Sequence, residues 1–160
     1  MSVAFVREES AEVAQEVSLP PRPISVHPNL VTKAGLLALE RSLAESQEAL
    51  KAAHAIEDAG ERRRALDLAA RDTRYFGERL TSAVVQPEAP GAGIVAFGSR
   101  VTIARDDGRR QTYCIVGEDE ADPRAGSIAY VSPLARQLIG KKVGEAAEMD
   151  GREIELLAIE

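Results

Sequence analysis

The sequence predicts an α+β protein in which an antiparallel helical hairpin, a short coiled coil, precedes a small antiparallel-sheet domain with one short helix. The hairpin is indicated by apolar residues at heptad spacing on both sides of Gly60, in a proline-free stretch that starts at Thr32. The sheet domain is indicated by short alternating segments that are separated by glycine-containing turns in the last third of the chain.

The composition is that of a chain that folds, and it excludes some functions. Hydrophobic residues make up 44% of the chain and charged residues 29%. The formal net charge is −6, and no segment forms a basic stripe, so the sequence does not predict a protein that binds nucleic acid on its own. Any contact with nucleic acid is expected to be indirect, through a partner protein.

The reactive residue types are few and isolated. Cys114 is the only cysteine, which excludes an intramolecular disulfide bond and a cysteine-rich zinc site. His27 and His54 are too far apart in sequence to suggest a metal site or a nucleophile with its base. Neither a signal peptide nor a membrane-spanning apolar run is found, so we expect a cytoplasmic monomer that does not bind membranes.

Residues 1–29 are predicted to form a flexible, proline-rich tail. Four acidic residues are followed by prolines at positions 20, 21, 23 and 28, and this composition offers little apolar surface for a core. A mobile leader is therefore the expectation for this segment.

Residues 30–86 are predicted to form the hairpin, because two heptad seams in this range fit each other. Thr32 is a plausible N-cap for the first helix. In an antiparallel pair, opposing core positions have residue numbers with a constant sum. The predicted layers are Leu36 with Ala83, Leu39 with Leu80, Leu43 with Phe76, Ser46 with Thr73, Leu50 with Ala69, and Ala53 with Leu66. This register places the turn between Ala59 and Gly60 and predicts an ion pair between Glu57 and Arg62.

Residues 87–93 are predicted to be a linker, and residues 94–160 to be the sheet domain. Segments 95–104 and 110–116 are expected to pair as strands around the turn Asp106-Asp107-Gly108. A short strand follows at 127–131, and a short helix is expected to begin at Pro133 and end at Gly140. Residues 152–160 alternate like a final strand.

The second domain resembles the C-terminal domain of the GreA/GreB transcription elongation factors. The matching pieces, in family order, are Phe97-Gly98, Ile115-Val116-Gly117, the acidic run 118–122, Ser132-Pro133-Leu134-Ala135, Leu138-Ile139-Gly140-Lys141 and Val143-Gly144. The opening of the first helix, Val31-Thr32-Lys33-Ala34-Gly35, is also similar to the family. The resemblance implies a fold like that of FK506-binding proteins for residues 94–160.

The resemblance also implies a function, which is to bind RNA polymerase and insert the hairpin into its secondary channel. Docking is then expected on the second domain, with Glu118, Asp119, Glu120, Asp122, Ser132 and Pro133 as the candidate contacts. No cofactor of its own is expected, and the free protein is expected to bind no metal. The only ion that the resemblance implies is Mg²⁺ shared with the polymerase.

The predicted hairpin tip departs from the family. Gre factors that stimulate transcript cleavage carry the tip motif D-L-S-E-N-A-E-Y, which is missing from this chain, and the hairpin is shorter. The tip acids Asp58, Glu61 and Glu57 are the candidates to hold a polymerase Mg²⁺ through carboxylate oxygens. Alternatively, Asp58 caps the second helix and Glu61 interacts with the helix dipole.

The tip is also basic, because Arg62, Arg63 and Arg64 directly follow the acids. These arginines either contact the polymerase channel or its RNA, or form a solvated helix face, and they are positioned to compete for the tip carboxylates.

Three functions remain open at this point. The first is a polymerase-binding regulator of elongation that is not itself an enzyme. The second is a factor that stimulates the intrinsic RNA cleavage of the polymerase by delivering tip carboxylates to its metal ion. The third is a peptidyl-prolyl isomerase, which is a weak alternative because the domain offers only Phe97, Tyr113 and Tyr130 to line a pocket.

Overall fold

The predicted hairpin is formed by the first two helices. A computed structural model describes residues 19–88 and 93–160. Helix α1 (Lys33–Ala53) begins at its N-cap Thr32, whose side chain accepts a hydrogen bond from the Gly35 N–H, as the sequence predicted. Helix α2 is Ala59–Ser82. The first 18 residues of the predicted tail and residues 89–92 of the predicted linker lie outside the described residues.

The two heptad seams face inward. Every residue of the predicted seams is buried or half-buried, with Leu39, Ser46, Ala53 and Ala69 the most enclosed. The Ser46 hydroxyl donates to the Leu43 carbonyl at 2.8 Å, a bond within its own helix. The Thr73 hydroxyl has no hydrogen-bond partner among the described residues, so the two hydroxyls of the predicted polar layer do not bond each other. The pairing of individual layers stays a prediction.

The turn lies earlier in the chain than predicted. Helix α1 ends at Ala53 and α2 already begins at Ala59, so Gly60 lies in the first turn of α2 and not in the connection. The cause is local: Asp58 Oδ1 accepts a hydrogen bond from the Glu61 N–H at 2.7 Å and starts the second helix there.

The predicted ion pair between Glu57 and Arg62 is also wrong. The Arg62 guanidinium donates instead to the main-chain carbonyls of Ile56, at 2.8 Å, and Glu57, at 3.3 Å. Carbonyls in a tight connection lack helical partners, and Arg62 supplies partners for these two.

Short strands close the base of the hairpin. Strand β1 (Leu30–Val31) precedes α1, strand β2 (Val84–Val85) follows α2, and the two pair in parallel. Neither strand was predicted, because two-residue strands leave no periodicity in a sequence.

The C-terminal domain is a five-stranded sheet with one short helix, which confirms the predicted α+β class. The strands are β3 (Arg100–Arg105), β4 (Arg110–Val116), β5 (Ser127–Ala129), β6 (Ala146–Met149) and β7 (Arg152–Ile159). Their order in the sheet is β5-β4-β3-β7-β6, and every neighbouring pair is antiparallel except β4 and β5.

Helix α3 (Pro133–Leu138) covers one face of this sheet and completes the core. It opens as predicted, with Ser132 as its N-cap and Pro133 at its first position. Among the described residues, the core of the domain contains Val95, Val101, Ile103, Ile115, Ile128, Leu134, Ala135, Leu138, Ala147, Ile154 and Leu156. Burial of these side chains is the main source of stability for the domain.

Residues 19–29 contain no helix or strand, but they lie against α2. Arg22 forms an ion pair with Asp72 at 3.2 Å, and the Asn29 amide donates to the Arg79 carbonyl at 2.6 Å. Polar contacts to the helix thus take the place of the apolar ones that residues 19–29 lack, and the flexibility expected of residues 1–29 stays a prediction. In the described part of the chain, no helix is long and apolar enough to cross a membrane.

The predicted register can be tested at the layer of Leu39 and Leu80. Leu39→Ala should lower the free energy of unfolding by about 2–4 kcal/mol, because this side chain is buried. In a double-mutant cycle with Leu80→Ala, the two losses should be non-additive, since the register makes them neighbours. The control cycle pairs Leu39→Ala with Leu66→Ala, which belongs to a distant layer and should be additive. Additivity at Leu39 and Leu80 would contradict the register.

Candidate functional site

The hairpin tip presents three acidic residues to solvent. Glu57, Asp58 and Glu61 are all exposed, and Asp58 caps α2 through its bond to the Glu61 N–H. Glu61 lies in the first turn of α2, where a negative charge interacts favourably with the helix dipole. The structural roles predicted for Asp58 and Glu61 are thus observed, and they leave both carboxyl groups at the surface.

The three tip arginines do not act as one group. Arg62 is half-buried and holds the connection through its bonds to main-chain carbonyls, whereas Arg63 and Arg64 are exposed on α2. Within the described ranges, no ion pair joins Arg62 or Arg64 to Asp58 or Glu61.

A metal ion at the tip would need ligands from a partner. No group of three or more His, Cys, Asp or Glu side chains in residues 19–88 and 93–160 is arranged to hold a metal. Exposed carboxylates such as Asp58 and Glu61 can complete the oxygen shell of an ion that another protein already binds.

The acidic run predicted for docking faces the hairpin instead. Glu120 Oε2 accepts hydrogen bonds from the main-chain N–H of Thr32, at 3.0 Å, and of Gly117, at 3.2 Å. The Thr32 hydroxyl donates to the other carboxylate oxygen of Glu120. Helix α1 has no acidic residue of its own in the first turn, so Glu120 supplies the negative charge that its N-terminus favours.

Two glycines make this contact possible. A Cβ atom on Gly35 would lie 2.1 Å from Cδ of Glu120, and one on Gly117 would lie 2.4 Å from the main-chain oxygen of Leu30. A side chain at either position would meet these atoms, so the loop after β4 can approach the first turn of α1 at Gly35 and strand β1 at Gly117 closely.

Asp119 binds the other helix of the hairpin. Its carboxylate accepts a hydrogen bond from Arg79 Nε at 2.6 Å and another from the Tyr75 hydroxyl. The Arg79 side chain is only 2% exposed, and Glu118 lies 3.9 Å from its guanidinium. Loss of Asp119 would leave a buried charge without its main partner, a change that typically costs about 3–5 kcal/mol.

The remaining docking candidates lie on the outer side of the domain. Asp122 is exposed and caps a short 3₁₀ turn, Pro123–Ala125. Ser132 caps α3 and Pro133 is exposed beside it. Ser132 and Pro133 line an open, mainly apolar groove of about 290 Å³, together with Tyr113, Pro123, Ile128, Leu134, Met149 and Asp150.

The three aromatic side chains of this domain, Phe97, Tyr113 and Tyr130, do not line one common pocket. Phe97 packs edge-to-face on Tyr130, with ring centroids 5.7 Å apart, and lines a cleft at the hairpin base. Tyr113 lines the groove at Pro133. The enclosed aromatic pocket that an isomerase would need is not formed by these three residues. Burial raises the pKa of the half-buried Cys114 thiol, so this side chain lacks the lowered pKa of an activated nucleophile.

Sequence reasoning missed the junction between the hairpin and the C-terminal domain. Arg79, Tyr75 and Glu120 were not predicted as partners, because 40 or more residues separate each pair that they form. One sequence feature was available: segments 31–35 and 117–122, which both resemble the Gre family, are the segments that meet here.

Comparison with known proteins points to one family. The family described as "Transcription elongation factor, GreA/GreB, C-term" matches residues 89–160. The transcription elongation factor GreB of Neisseria meningitidis is 45% identical over 96 residues, covering 56% of this chain and 59% of that protein. GreA of Hyphomonas neptunium is 55% identical over 60 residues, covering 37% and 38%.

The match is partial in length. The chain spans 59% of the GreB relative and 38% of the GreA relative. Among solved structures, GreA factor homolog 1 (Gfh1) of Thermus thermophilus is 25% identical with a TM-score of 0.39, covering 84% of this chain and 99% of that one. The names of the GreB and GreA relatives describe those proteins as transcription elongation factors.

The junction should respond to alkaline pH through Tyr75. Burial and the hydrogen bond to Asp119 raise the pKa of Tyr75 from 10.0 to about 12. Because the folded-state pKa is the higher one, the stabilising contribution is complete below pH 10 and is lost as the pH rises through about 12. The free energy of unfolding should therefore fall more steeply over this range in the wild type than in Tyr75→Phe.

An alkaline titration followed by ultraviolet absorbance measures the same effect. Tyr75→Phe should remove a late-ionising phenol, whereas the control Tyr113→Phe should leave it in place. Equal curves for wild type and Tyr75→Phe would contradict the assignment.

Proposed function

We propose that this protein regulates transcription elongation by binding RNA polymerase, because its residues 89–160 match the family described as "Transcription elongation factor, GreA/GreB, C-term". In this proposal the C-terminal domain docks on the polymerase and the hairpin enters its secondary channel. Contact with nucleic acid then occurs only through the polymerase.

The observation that carries the proposal is a slender hairpin with an exposed, charged tip on a domain with an exposed apolar groove. Helix α1 has 21 residues and is therefore about 32 Å long. The described contacts between the hairpin and the C-terminal domain involve the first turn of α1 and the last third of α2, and none involves the tip. A tip placed so far from its own domain is suited to act on a partner.

The groove at Ser132 and Pro133 is the favoured docking surface. Glu118, Asp119 and Glu120, which were predicted to dock, already bind the hairpin, so in this proposal they orient it and do not contact the polymerase. Asp122 is exposed near the groove and is kept as a rim contact. An apolar centre with a polar rim is the usual composition of a protein interface.

The second candidate function is stimulation of transcript cleavage, which the geometry of the hairpin tip supports. Asp58 and Glu61 are exposed at the apex, and Arg62 is bound to main-chain carbonyls and not to them. In this mechanism the tip acids, with Glu57 beside them, would complete the shell of a polymerase Mg²⁺ and act on its bound water. The missing family tip motif still favours the non-cleaving regulator.

A charge placed in the groove should weaken polymerase binding. Pro133→Glu keeps a residue that is acceptable at the first position of α3, but it puts a carboxylate at the apolar surface. We expect a roughly tenfold or greater rise in Kd for core RNA polymerase, measured by fluorescence anisotropy, for a loss of about 1.4 kcal/mol. Gln137→Glu adds the same charge to an exposed position of the same helix outside the groove and should bind normally. Equal binding by both variants would reject this docking surface.

The tip acids should affect activity and not docking. Asp58→Asn retains a residue that caps helices well, and Glu61→Gln retains shape, so the fold and the polymerase Kd should change little. If the wild type stimulates RNA cleavage in stalled elongation complexes, the double variant should lose most of that stimulation, because the lost charge acts on the metal-bound water. Full cleavage by the double variant would exclude the tip-acid mechanism. No cleavage by the wild type would favour the regulator, for which the variants should change pausing only.

A further inference from the structure

Residues 19–29, here called the N-terminal strap, run along α2 in the same direction as the helix. Leu19 and Pro21 lie beside a patch of α2, Arg22 lies further along, and Asn29 bonds the end of the helix. Leu19 and Pro21 lie beside Asp67, Ala70, Arg71 and Arg74 of α2. Arg22 lies beside Asp72, Tyr75 and Phe76, and Asn29 lies beside Arg79 and Ser82.

Arg22 makes the most specific contact of the strap. Its guanidinium carbon lies 3.8 Å from the ring centroid of Tyr75 and 5.0 Å from that of Phe76, and the guanidinium forms an ion pair with Asp72. The two rings pack edge-to-face, with centroids 5.3 Å apart. A planar cation over aromatic faces, with a carboxylate at its side, is a site that arginine fits and lysine fits less well.

Tyr75 connects this contact to the C-terminal domain. One face of its ring carries Arg22, and its hydroxyl donates to Asp119 in the loop after β4. Asp119 in turn binds the buried Arg79, whose carbonyl accepts a hydrogen bond from Asn29 of the strap. The strap, the hairpin and the sheet domain therefore share one set of polar contacts.

The strap also contacts the C-terminal domain directly. The Tyr130 hydroxyl donates to the Pro28 carbonyl, and Arg136 approaches the His27 ring at 3.5 Å. Apart from the strap, the polar side-chain contacts between the hairpin and the domain among the described residues are those of Glu120 at α1 and of Glu118 and Asp119 at α2. The strap adds contacts to both parts and thereby restricts movement of one relative to the other.

We propose that Arg22 is a positioning residue that fixes the angle between the hairpin and the C-terminal domain by holding the Tyr75 ring in place for Asp119. The biological role of this angle rests on the proposed function, in which the hairpin points into the polymerase channel while the C-terminal domain is docked. The angle itself is a property of the free protein, so it can be measured without polymerase.

Electron-spin distance measurements on the full chain test the proposal. Spin labels are attached to cysteines at Ala55, in the hairpin connection, and Asp106, in the turn between β3 and β4, in a Cys114→Ala background. Both labelled positions are exposed. Arg22→Gln should broaden and shift the distribution of distances between the labels, and Arg22→Lys should restore part of it, because the charge toward Asp72 remains while the planar stacking is lost.

The control variant is Arg41→Gln, which removes the same charge from an exposed position of α1 and should leave the distribution unchanged. Tyr75→Phe keeps the ring for Arg22 and removes only the bond to Asp119, so it should also broaden the distribution. Because both residues act through one contact, the double variant should resemble the more severe single variant.

A distribution that is the same in Arg22→Gln and in the background, with normal helical circular dichroism, would overturn the proposal. Equal changes in Arg22→Gln and Arg41→Gln would overturn it as well. If Arg22→Gln loses its helical circular dichroism signal, the test depends on Tyr75→Phe. An unchanged distance distribution in Tyr75→Phe would then reject the coupling through Tyr75. None of these results depends on polymerase binding, which the groove variants test separately.

Discussion

Glu120 reaches from the loop after β4 to the first turn of α1, where it binds the main chain and the hydroxyl of Thr32. Next to it, Asp119 neutralises Arg79, which the fold has almost completely removed from water. A helix N-terminus without its own acid and a buried guanidinium both require a negative charge, and adjacent residues supply both charges. The orientation of the hairpin, the course of the strap and the close approach at Gly35 and Gly117 all depend on this junction.

The contacts at this junction change the role that is assigned to the acidic residues 118–122. From the sequence, the acidic residues of 118–122 were docking candidates, because the resemblance to the GreA/GreB family implies docking on the second domain. In the fold, Glu118, Asp119 and Glu120 face the hairpin, and the docking surface proposed above is therefore the apolar groove beside Pro133. The acidic run of this chain therefore has an architectural role, since it links the hairpin to the sheet domain.

Most of the fold could be predicted because its determinants are local. The N-cap Thr32, the Asp107-Gly108 turn, and the Ser132-Pro133 opening of α3 each lie within a few residues of the structure that they specify. Strand β6 was missed because Ala146 and Ala147 give it little strand character, although Asp150 and Gly151, both with positive φ, form a hairpin dipeptide that marks it. The junction could not be predicted, because its bonds join residues 40 to 88 positions apart.

The hairpin is built differently at its two ends, and this difference bears on how the tip can act. The layers near the base contain leucines and Phe76, whereas a groove near the tip is lined largely by alanines at positions 49, 52, 53, 65 and 69. Small side chains bury little apolar area, so order at the tip depends more on polar bonds, namely the Asp58 cap and the bonds from Arg62 to the connection. Asp58 thus has a structural role whatever its chemical one. Asparagine can fill the first role without the second, because it caps a helix as well as aspartate does but carries no charge. The two roles of the tip are therefore separable in this chain.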